Sequence, residues 1–297
     1  MKKAPIIGFI RYSQKIKFDN HKKERDVFEP IYFEYRYDIF KNVTLKSFQQ
    51  QTDNNFVLLL LHSENMPVQY KERFIELEKE NLFLYNVFVQ DTQESFNEAI
   101  LDSNKYVRYE NSTALTFRID NDDAVQNDFI EKLNGFLKND FVGFSVSIPL
   151  MHIVKRIANQ LYMLQESYFP ANAIGLAYVT SSEKYKTVLN LGDHDLVNDE
   201  NAMILLAKSA SGGLQTINGE NEINEIDTTK AMILNKVELD NYLVQRKIEH
   251  LDLDCLRIYE EKINLSKYSL KKNIRLFLPS TFITTLQKIK NYFSPKN

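Results

Sequence analysis

Cysteine and tryptophan are nearly absent from this chain, which has one cysteine and no tryptophan among its 297 residues. Cys255 has no second cysteine to pair with, so an internal disulfide is excluded and a reducing cytoplasm is the expected compartment. Long apolar runs are missing too. The longest, FVLLLL at 56–61, is far shorter than the ~20 residues that span a bilayer, so we expect no transmembrane helix. The apolar run near the start ends at Arg11, which argues against a signal peptide.

An excess of positive charge is also missing. The chain carries 37 Lys and Arg against 40 Asp and Glu, a net charge of -3, so nucleic acid is not the expected partner. It contains no G-x-G-x-x-G, Walker A, H-E-x-x-H or C-x-x-C pattern, and GFSVS at 143–147 lacks the last glycine of a nucleophile elbow. Dehydrogenase, NTPase, zinc protease and esterase functions are therefore disfavoured.

Four short apolar segments have the length and the β-branched or aromatic content of strands in a covered sheet. They are PIIGFI (5–10), FVLLLL (56–61), LFLYNVFV (82–89) and ALTFRI (114–119). Between them, two sets of residues recur at helical spacing: Tyr37, Phe40, Thr44 and Phe48, then Tyr70, Phe74 and Leu77 behind Pro67. The order β-α-β-α-β predicts an α/β fold with a mostly parallel central sheet, in which ligands bind outside the carboxyl ends of the strands.

An acidic run follows the fourth of these segments, where Asp120, Asp122 and Asp123 fall within four consecutive positions. The two-residue period of a strand places Arg118 and Asp120 on the same face. The next segment, NDFIEKLNGFL, has helical spacing with Asp128 at its start. A solvated turn is one explanation of the run, whereas an EF-hand is excluded because the loop lacks that motif's glycine. We favour a hard divalent cation, Mn²⁺ or Mg²⁺, shared between carboxylates and substrate phosphates.

The segments RIDNDDAVQNDFI (118–130) and RYDIFKNVTLKSFQQQTDNNFVLLLL (36–61) resemble the rhamnosyltransferase family of GT-A-fold glycosyltransferases. That family has an Arg, a Ser-x-x-x-Gln-Thr stretch and a D-x-D-D motif, which correspond here to Arg36, 47–52 and 120–123. Residues 169–179 and 214–224 also look similar. The resemblance implies a GT-A-like nucleotide-diphospho-sugar transferase fold over residues 5–225. It also implies an inverting, metal-dependent transfer of sugar, such as rhamnose, from a nucleotide-diphosphate sugar to a polysaccharide or glycolipid hydroxyl.

The same resemblance assigns roles to the acidic run. Asp120 is expected to hold the donor ribose, Asp122 to ligate a metal that bridges the donor diphosphate, and Asp123 to orient the metal shell or the acceptor. Arg11 and Arg118 lie near predicted strand ends, where they can add charge-assisted hydrogen bonds to the donor phosphates. The alternative for each arginine is an ion pair with a surface carboxylate.

Related inverting enzymes place an acidic pair at the start of a helix, followed by a glycine turn, a strand and a metal-binding His. Here Asp199 and Glu200 precede NAMILLAKSA (201–210), which we expect to be helical, and Asn218 stands where that His is expected. Asn218 is therefore a candidate metal ligand, through its carbonyl oxygen. The glycosyltransferase alternative is a non-catalytic nucleotide-sugar or glycan-binding protein that retains the GT-A fold.

Candidates for the general base lie in the same stretch. Glu200 is the first choice and Asp199 the second, with Asp193 also considered, because a carboxylate held near the acceptor can take the proton of a sugar hydroxyl. Simple capping of a surface helix remains an alternative for the acidic pair. His194 and Asp195 are candidate acceptor contacts.

The pattern changes near residue 228 to long helical stretches without a strand signal. We therefore expect a transferase domain over 1–227 and a helical C-terminal extension over 228–297. The tail from 267 onward contains Lys and Arg but no acidic residue, and its apolar residues Phe282, Leu286, Ile289 and Phe293 have helical spacing. Such a basic amphipathic helix either lies on the anionic inner face of the membrane or packs on protein.

Overall fold

The described residues form a larger sheet of seven strands, flanked by helices, and a smaller sheet of five strands. The computed structural model describes residues 2–13, 26–192, 202–206, 211–218, 226–227 and 230–259. Within them the strands are β1 (Ile6–Arg11), β2 (Phe56–Ser63), β3 (Leu84–Val89), β4 (Thr113–Ile119), β5 (Ala124–Val125), β6 (Ser145–Ser147), β7 (Leu150–Ala158), β8 (Leu161–Tyr168), β9 (Ala177–Ser181), β10 (Met203–Leu205), β11 (Ser211–Ile217) and β12 (Met232–Asn235).

The α-helices of the described residues lie mostly in the first half of the chain. In that half they are α1 (Pro30–Ile39), α2 (Lys46–Gln49), α3 (Val68–Glu80), α4 (Gln93–Asp102) and α5 (Phe129–Asn134), and α6 (Lys236–Gln245) follows in the second half. A π-helical turn, Phe40–Leu45, joins α1 to α2, so the expected helix through residues 37–48 is present but widened in its middle.

The larger sheet has the order β10-β6-β9-β4-β1-β2-β3. Strands β1, β2, β3 and β4 are parallel, and β9 runs antiparallel to both β4 and β6. The predicted α/β fold with a mostly parallel central sheet is therefore confirmed, and the carboxyl ends of β1, β2 and β4 lie at one edge of it.

Burial on both faces explains why these strands are continuous apolar runs. Successive residues of β2 point to opposite faces of the sheet and pack in different hydrophobic clusters. Leu58 packs in the cluster that contains Phe74 of α3, whereas Val57 packs in the cluster that contains Phe96 of α4. Each fully buried large apolar side chain contributes about 1.5–3 kcal/mol, so these two clusters fix the strand order that places the site.

The smaller sheet was not predicted from the sequence. Its order is β12-β8-β7-β11-β5, with β11 parallel to β7 and the other pairs antiparallel. Its largest element, the β7-β8 hairpin, mixes charged residues into both strands, with Lys155 and Arg156 in β7 and Glu166 in β8. That mixture hides the two-residue period on which strand prediction depends.

Two expectations for the second half are wrong where the structure describes them. The segment 201–210 was expected to be helical, but Met203–Leu205 is β10, parallel to β6. Its apolar run is short enough to suit either element, and pairing with β6 decides in favour of the strand. The region after 228 was expected to contain no strand, yet β12 pairs with β8. The domain division at residue 227 stays a prediction.

The residues after 259, including the basic tail, lie outside the described part of the chain. Within the described ranges, none of the helices has both the length and the apolar character needed to cross a membrane.

Candidate active site

The acidic run forms the turn at which the chain leaves the larger sheet and enters the smaller one. Strand β4 ends at Ile119, and β5 begins at Ala124 and pairs with β11. The turn is closed by a hydrogen bond from the Asp123 backbone N–H to the Asp120 carbonyl oxygen, 3.4 Å away. The run therefore lies beyond the carboxyl end of a central parallel strand, where α/β folds bind ligands.

A glycine allows the two strands that carry the site to approach each other. A Cβ atom built on Gly213 of β11 would lie 2.0 Å from the backbone oxygen of Ala124 in β5. No side chain fits at that distance, so glycine is required for β11 to run beside β5. This close approach brings Thr216 and Asn218 against the acidic turn.

The side chain of Asp123 is buried, with 1% of its surface exposed. One of its oxygens, Oδ1, accepts a hydrogen bond of 3.1 Å from the Thr216 backbone N–H. Burial raises the pKa of Asp123 well above its ordinary value, and the charges of Asp122 and Asp120 raise it further. The charges of Asp120 and Asp122 thus act on a neighbouring buried group, and a cation at the turn would offset them.

Asp122 is only partly buried and is held from two sides. Its Oδ2 accepts a hydrogen bond of 2.6 Å from Nδ2 of Asn218, and its backbone oxygen accepts one of 2.8 Å from the Thr216 hydroxyl. The end of β11 therefore fixes both the backbone and the carboxylate of Asp122.

Asp120 and Arg118 extend to the same side, as the strand period predicts. A nitrogen of the Arg118 guanidinium lies 4.0 Å from Oδ1 of Asp120, and the Arg118 side chain is 9% exposed against 48% for Asp120. Arg11 is the last residue of β1, the neighbour of β4. The structure therefore places both arginines at the edge that holds the acidic run, while their contact with a donor stays a prediction.

The Ser-x-x-x-Gln-Thr stretch (47–52) forms hydrogen bonds with the backbone that follows the acidic turn. The Ser47 hydroxyl accepts from the Val125 backbone N–H at 3.2 Å. Nε2 of Gln51 donates to the Gln126 carbonyl at 2.7 Å, and Oε1 of Gln51 accepts from the Ile130 N–H at 3.0 Å. These buried side chains hold β5 and the start of α5, so this stretch acts on the site through the backbone.

The start of α5 differs from expectation in its details. Asp128 precedes the helix but makes no side-chain capping bond to it. Its carboxylate instead pairs with Lys132 at 2.7 Å and with Lys247 at 2.6 Å, and these two ammonium groups lower the pKa of Asp128.

Tyr35 and Arg257 also reach this region, and sequence reasoning missed both. The Tyr35 hydroxyl of α1 donates to the Asn218 carbonyl oxygen at 3.2 Å and accepts from the Arg257 backbone N–H at 3.1 Å. Neither residue stands in a motif, and both become neighbours of Asn218 only through folding. Thr216 was equally missed, although it lies in the 214–224 stretch that carried part of the resemblance.

A divalent cation fits the oxygen donors of the turn only in part. Among the described residues no group of three or more His, Cys, Asp or Glu side chains could hold a metal ion, so a cage made of those side chains is excluded there. An ion held by one or two carboxylates, with waters and substrate phosphates completing its shell, fits Asp122. Asn218 presents its amide nitrogen to Asp122, because a carboxylate accepts hydrogen bonds only. In this arrangement Asn218 orients the Asp122 carboxylate, and metal ligation by either residue stays a prediction.

The candidates for the acceptor side fall outside the described residues. They are Asp193, His194, Asp195, Asp199 and Glu200, and their roles stay predictions. The described residues just after them form β10 instead of a helix. The helix that Asp199 and Glu200 were expected to precede, and that they could have capped, is therefore not formed by the described residues 202–206.

Residues 6–230 match the model of a family described as "Putative rhamnosyl transferase". No curated protein matches the chain. Solved structures similar to it include S. aureus TarS, at 11% identity and a TM-score of 0.39 over 95% of this chain and 46% of that one. S. aureus TarS 1-349 in complex with UDP gives 10% identity and 0.39 over 95% and 76%. S. aureus TarS 1-349 gives 10% identity and 0.29 over 54% and 36%. This chain thus spans less than half of the first and the last of these, and likeness this low says nothing about its ligands.

Proposed function

Because the chain belongs to the rhamnosyl transferase family, we propose that it is a glycosyltransferase of GT-A-like fold that uses a nucleotide-diphosphate sugar as donor. The acceptor is a hydroxyl group of a saccharide, either a polysaccharide or a glycolipid. Rhamnose is the transferred sugar that the family's description suggests. We further propose that the reaction inverts the anomeric centre and requires a divalent metal ion.

The observation that supports this proposal most is the pairing of Asp122 with Asn218. It holds a partly exposed carboxylate at the carboxyl end of a central parallel strand, at a hydrogen-bond distance of 2.6 Å. A carboxylate that served only a solvated turn would need no such support from β11. Asp120 lies in the same turn and, in addition to the effect of burial, it and Asp122 raise the pKa of Asp123, which shows that the carboxylates of the turn act on one another.

Each residue of the turn has a role in this proposal. Asp122 ligates the metal, Asn218 orients Asp122, and Asp123 anchors the turn to β11 through Thr216. Asp120 accepts hydrogen bonds from the donor ribose. When bound, a divalent cation supplies positive charge where the departing nucleoside diphosphate gains negative charge.

The acceptor hydroxyl must lose a proton as it attacks the sugar. We propose Glu200 as the base, with Asp199 and Asp193 as the other candidates, and His194 and Asp195 as acceptor contacts. An inverting mechanism needs one carboxylate on the acceptor side of the sugar, opposite the leaving group. Substitution of each carboxylate by its amide distinguishes these candidates, because the base variant loses turnover and keeps donor binding.

The location of the reaction is a separate part of the proposal. A glycolipid or a growing polymer is presented at the membrane, and the basic tail from 267 onward suits the anionic inner face. We therefore propose a cytoplasmic protein in peripheral contact with the membrane.

A thermal-shift panel tests the proposed function. The ligands are uridine, thymidine and guanosine diphosphates and their sugars, each with and without Mn²⁺. A ligand present at 100 times its Kd stabilises the native state by about 2.7 kcal/mol. We expect at least one diphosphate to raise Tm only when Mn²⁺ is present. If no nucleotide shifts Tm under either condition, the proposal is wrong.

A further inference from the structure

Helix α1 approaches the acidic turn with two neighbouring residues, Tyr35 and Arg36. The Tyr35 hydroxyl donates to the Asn218 carbonyl oxygen at 3.2 Å, and the Asn218 amide in turn donates to Asp122. The Arg36 guanidinium donates to the carbonyl oxygen of Tyr12, the residue that follows β1, at 2.6 Å. Both contacts place this part of α1 at the carboxyl end of the central strands.

The Tyr12 carbonyl oxygen is shared between Arg36 and the turn itself. Nδ2 of Asn121 lies 3.5 Å from the same oxygen that the Arg36 guanidinium contacts at 2.6 Å. Asn121 stands between Asp120 and Asp122 in the chain, and its side chain is buried. The guanidinium therefore lies beside the acidic turn, with one backbone oxygen in contact with both.

Two tyrosine rings restrain the Arg36 side chain. Its guanidinium carbon lies 5.0 Å from the ring centroid of Tyr12 and 5.4 Å from that of Tyr32. Both distances are within the range of a cation-π contact, which holds a cation without using its N–H groups. A side chain held in this way loses little further conformational freedom when a ligand binds to it.

The charge of Arg36 has no carboxylate partner in the part of the chain that the structure describes. Its hydrogen bond there goes to the neutral Tyr12 carbonyl. A guanidinium has five N–H groups, so most of those of Arg36 make no hydrogen bond within the described ranges. The side chain is half-buried, so part of it still faces solvent. An arginine in this state is suited to bind an anion that arrives with a substrate.

We propose that Arg36 binds the diphosphate group of the nucleotide-sugar donor and of the departing nucleoside diphosphate. The inference rests on the proposed function, because it takes the acidic turn to be the donor site. Two observations carry it. The shared Tyr12 carbonyl places the guanidinium at the turn, and most of the N–H groups of Arg36 are not used by the described residues.

Electrostatics give the reason for an arginine at this place. The turn carries three carboxylates, and a diphosphate adds further negative charge. Like charges this close repel one another unless a cation lies among them. The guanidinium fork recognises phosphate oxygens in pairs, and its charge offsets the repulsion between the phosphates and the turn.

The competing explanation is that Arg36 only fastens α1 to the end of β1. In that case its loss would disturb the whole donor site, and binding of the nucleoside and of the diphosphate would weaken alike. Arg36→Gln removes the charge, and Arg36→Lys keeps the charge without the planar fork. Arg73→Gln is the matched control. The Arg73 guanidinium also lies on a tyrosine, 3.8 Å from the ring centroid of Tyr37, but it pairs with Glu34.

The test measures Kd of the wild type and the three variants for UDP, dTDP and GDP by titration calorimetry with Mn²⁺. Ligand-observed NMR gives Kd for uridine, thymidine and guanosine, which lack phosphate. For the diphosphate that the wild type binds, we expect Arg36→Gln to raise Kd about tenfold or more, as for loss of a charged hydrogen bond. Arg36→Lys should raise Kd less. Nucleoside affinity stays unchanged in both, and Arg73→Gln behaves as the wild type.

Two results overturn the role of Arg36 alone. One is equal diphosphate affinity in Arg36→Gln and the wild type, and the other is a loss of nucleoside affinity as large as the loss of diphosphate affinity. Absence of diphosphate binding in the wild type overturns the proposed function, and the role of Arg36 with it.

Discussion

Asn218 donates a hydrogen bond of 2.6 Å to Asp122, so the end of β11 in the smaller sheet is tied to the turn that leaves the larger sheet. The two residues are 96 positions apart in the chain. Whatever binds at Asp122 is therefore sensitive to the way the two sheets meet.

Asn218→Ala should weaken Mn²⁺ binding while Asp122 itself remains. Partners that orient a metal ligand typically contribute 10-fold to 100-fold in affinity, and we expect a loss of about that size. Titration of the protein with Mn²⁺, followed by electron paramagnetic resonance, measures it. Asn134→Ala is a control, because its amide donates to Asp53 on another part of the surface. Equal Mn²⁺ affinity in Asn218→Ala and the wild type would contradict the orienting role.

Gly213→Ala should destabilise the fold and impair the site together. The new Cβ would lie 2.0 Å from the Ala124 carbonyl oxygen, so β5 or β11 must move, at a cost of about 1–3 kcal/mol. Gly135→Ala is the matched control, because there the Cβ meets nothing nearer than 3.4 Å and φ is -59°. Urea denaturation measures both variants. A Gly213→Ala protein as stable as Gly135→Ala would show that the strands do not approach as described.

Two buried histidines should make the protein sensitive to acid. Burial lowers the pKa of His152 to about 4 and that of His62 to about 3, whereas an unfolded histidine has a pKa of about 6.5. Between these values the unfolded state binds protons that the native state does not. Stability is therefore lost as pH falls below about 6.5, by up to 1.4 kcal/mol per pH unit for each histidine.

His152→Leu tests this linkage. Neither ring nitrogen of His152 has a hydrogen-bond partner within the described part of the chain, so the substitution breaks no such bond there. The charged groups that act on the ring, Glu166 and Arg246, have opposite effects on its pKa and stay in place. We expect the variant to lose less stability than the wild type between pH 7 and pH 5 in urea titrations. The exposed His250→Gln should match the wild type, and an unchanged pH slope in His152→Leu would contradict the prediction.

The tail gives a prediction about location. Deleting residues 279–297 should weaken binding to vesicles that contain anionic lipid, since each Lys or Arg near such a surface contributes about 1 kcal/mol. Binding of the whole chain should fade with salt, as the Debye length falls from ~10 Å at 0.1 M to ~3 Å at 1 M. Vesicle sedimentation measures both. If the truncated protein becomes insoluble or loses Mn²⁺-dependent nucleotide binding, the tail packs on protein instead.

The first half of the fold could be predicted because its strands are short, apolar and buried on both faces. The period of two also placed Arg118 and Asp120 on one side, as observed. The smaller sheet could not be predicted in this way, because its hairpin mixes charged and apolar residues, and β10 has an apolar run that suits helix or strand equally. Pairing with strands far away in the chain, β11 and β12 for the hairpin and β6 for β10, decided both cases.

The site, like the fold, could be predicted only in part. The acidic run could be predicted, because the spacing of Asp120, Asp122 and Asp123 is local and visible in the sequence. Thr216 contacts the turn, and Tyr35 and Arg257 reach Asn218 beside it, only because β11, α1 and the chain that follows α6 meet there. No local pattern marks such residues, and only the folded chain shows them.

The measurement that tests the central claim most directly is sugar transfer by the wild type and by Asp122→Ala. A panel of UDP-, dTDP- and GDP-sugars is incubated with saccharide acceptors and Mn²⁺, and mass spectrometry follows the released nucleoside diphosphate and the glycosylated product. Asp140→Ala, at an exposed turn, is the control. We predict Mn²⁺-dependent transfer by the wild type and by Asp140→Ala, and none by Asp122→Ala, whose fold remains intact. Transfer that persists in Asp122→Ala, or donor binding by the wild type without transfer from any donor, would contradict a metal-dependent glycosyltransferase.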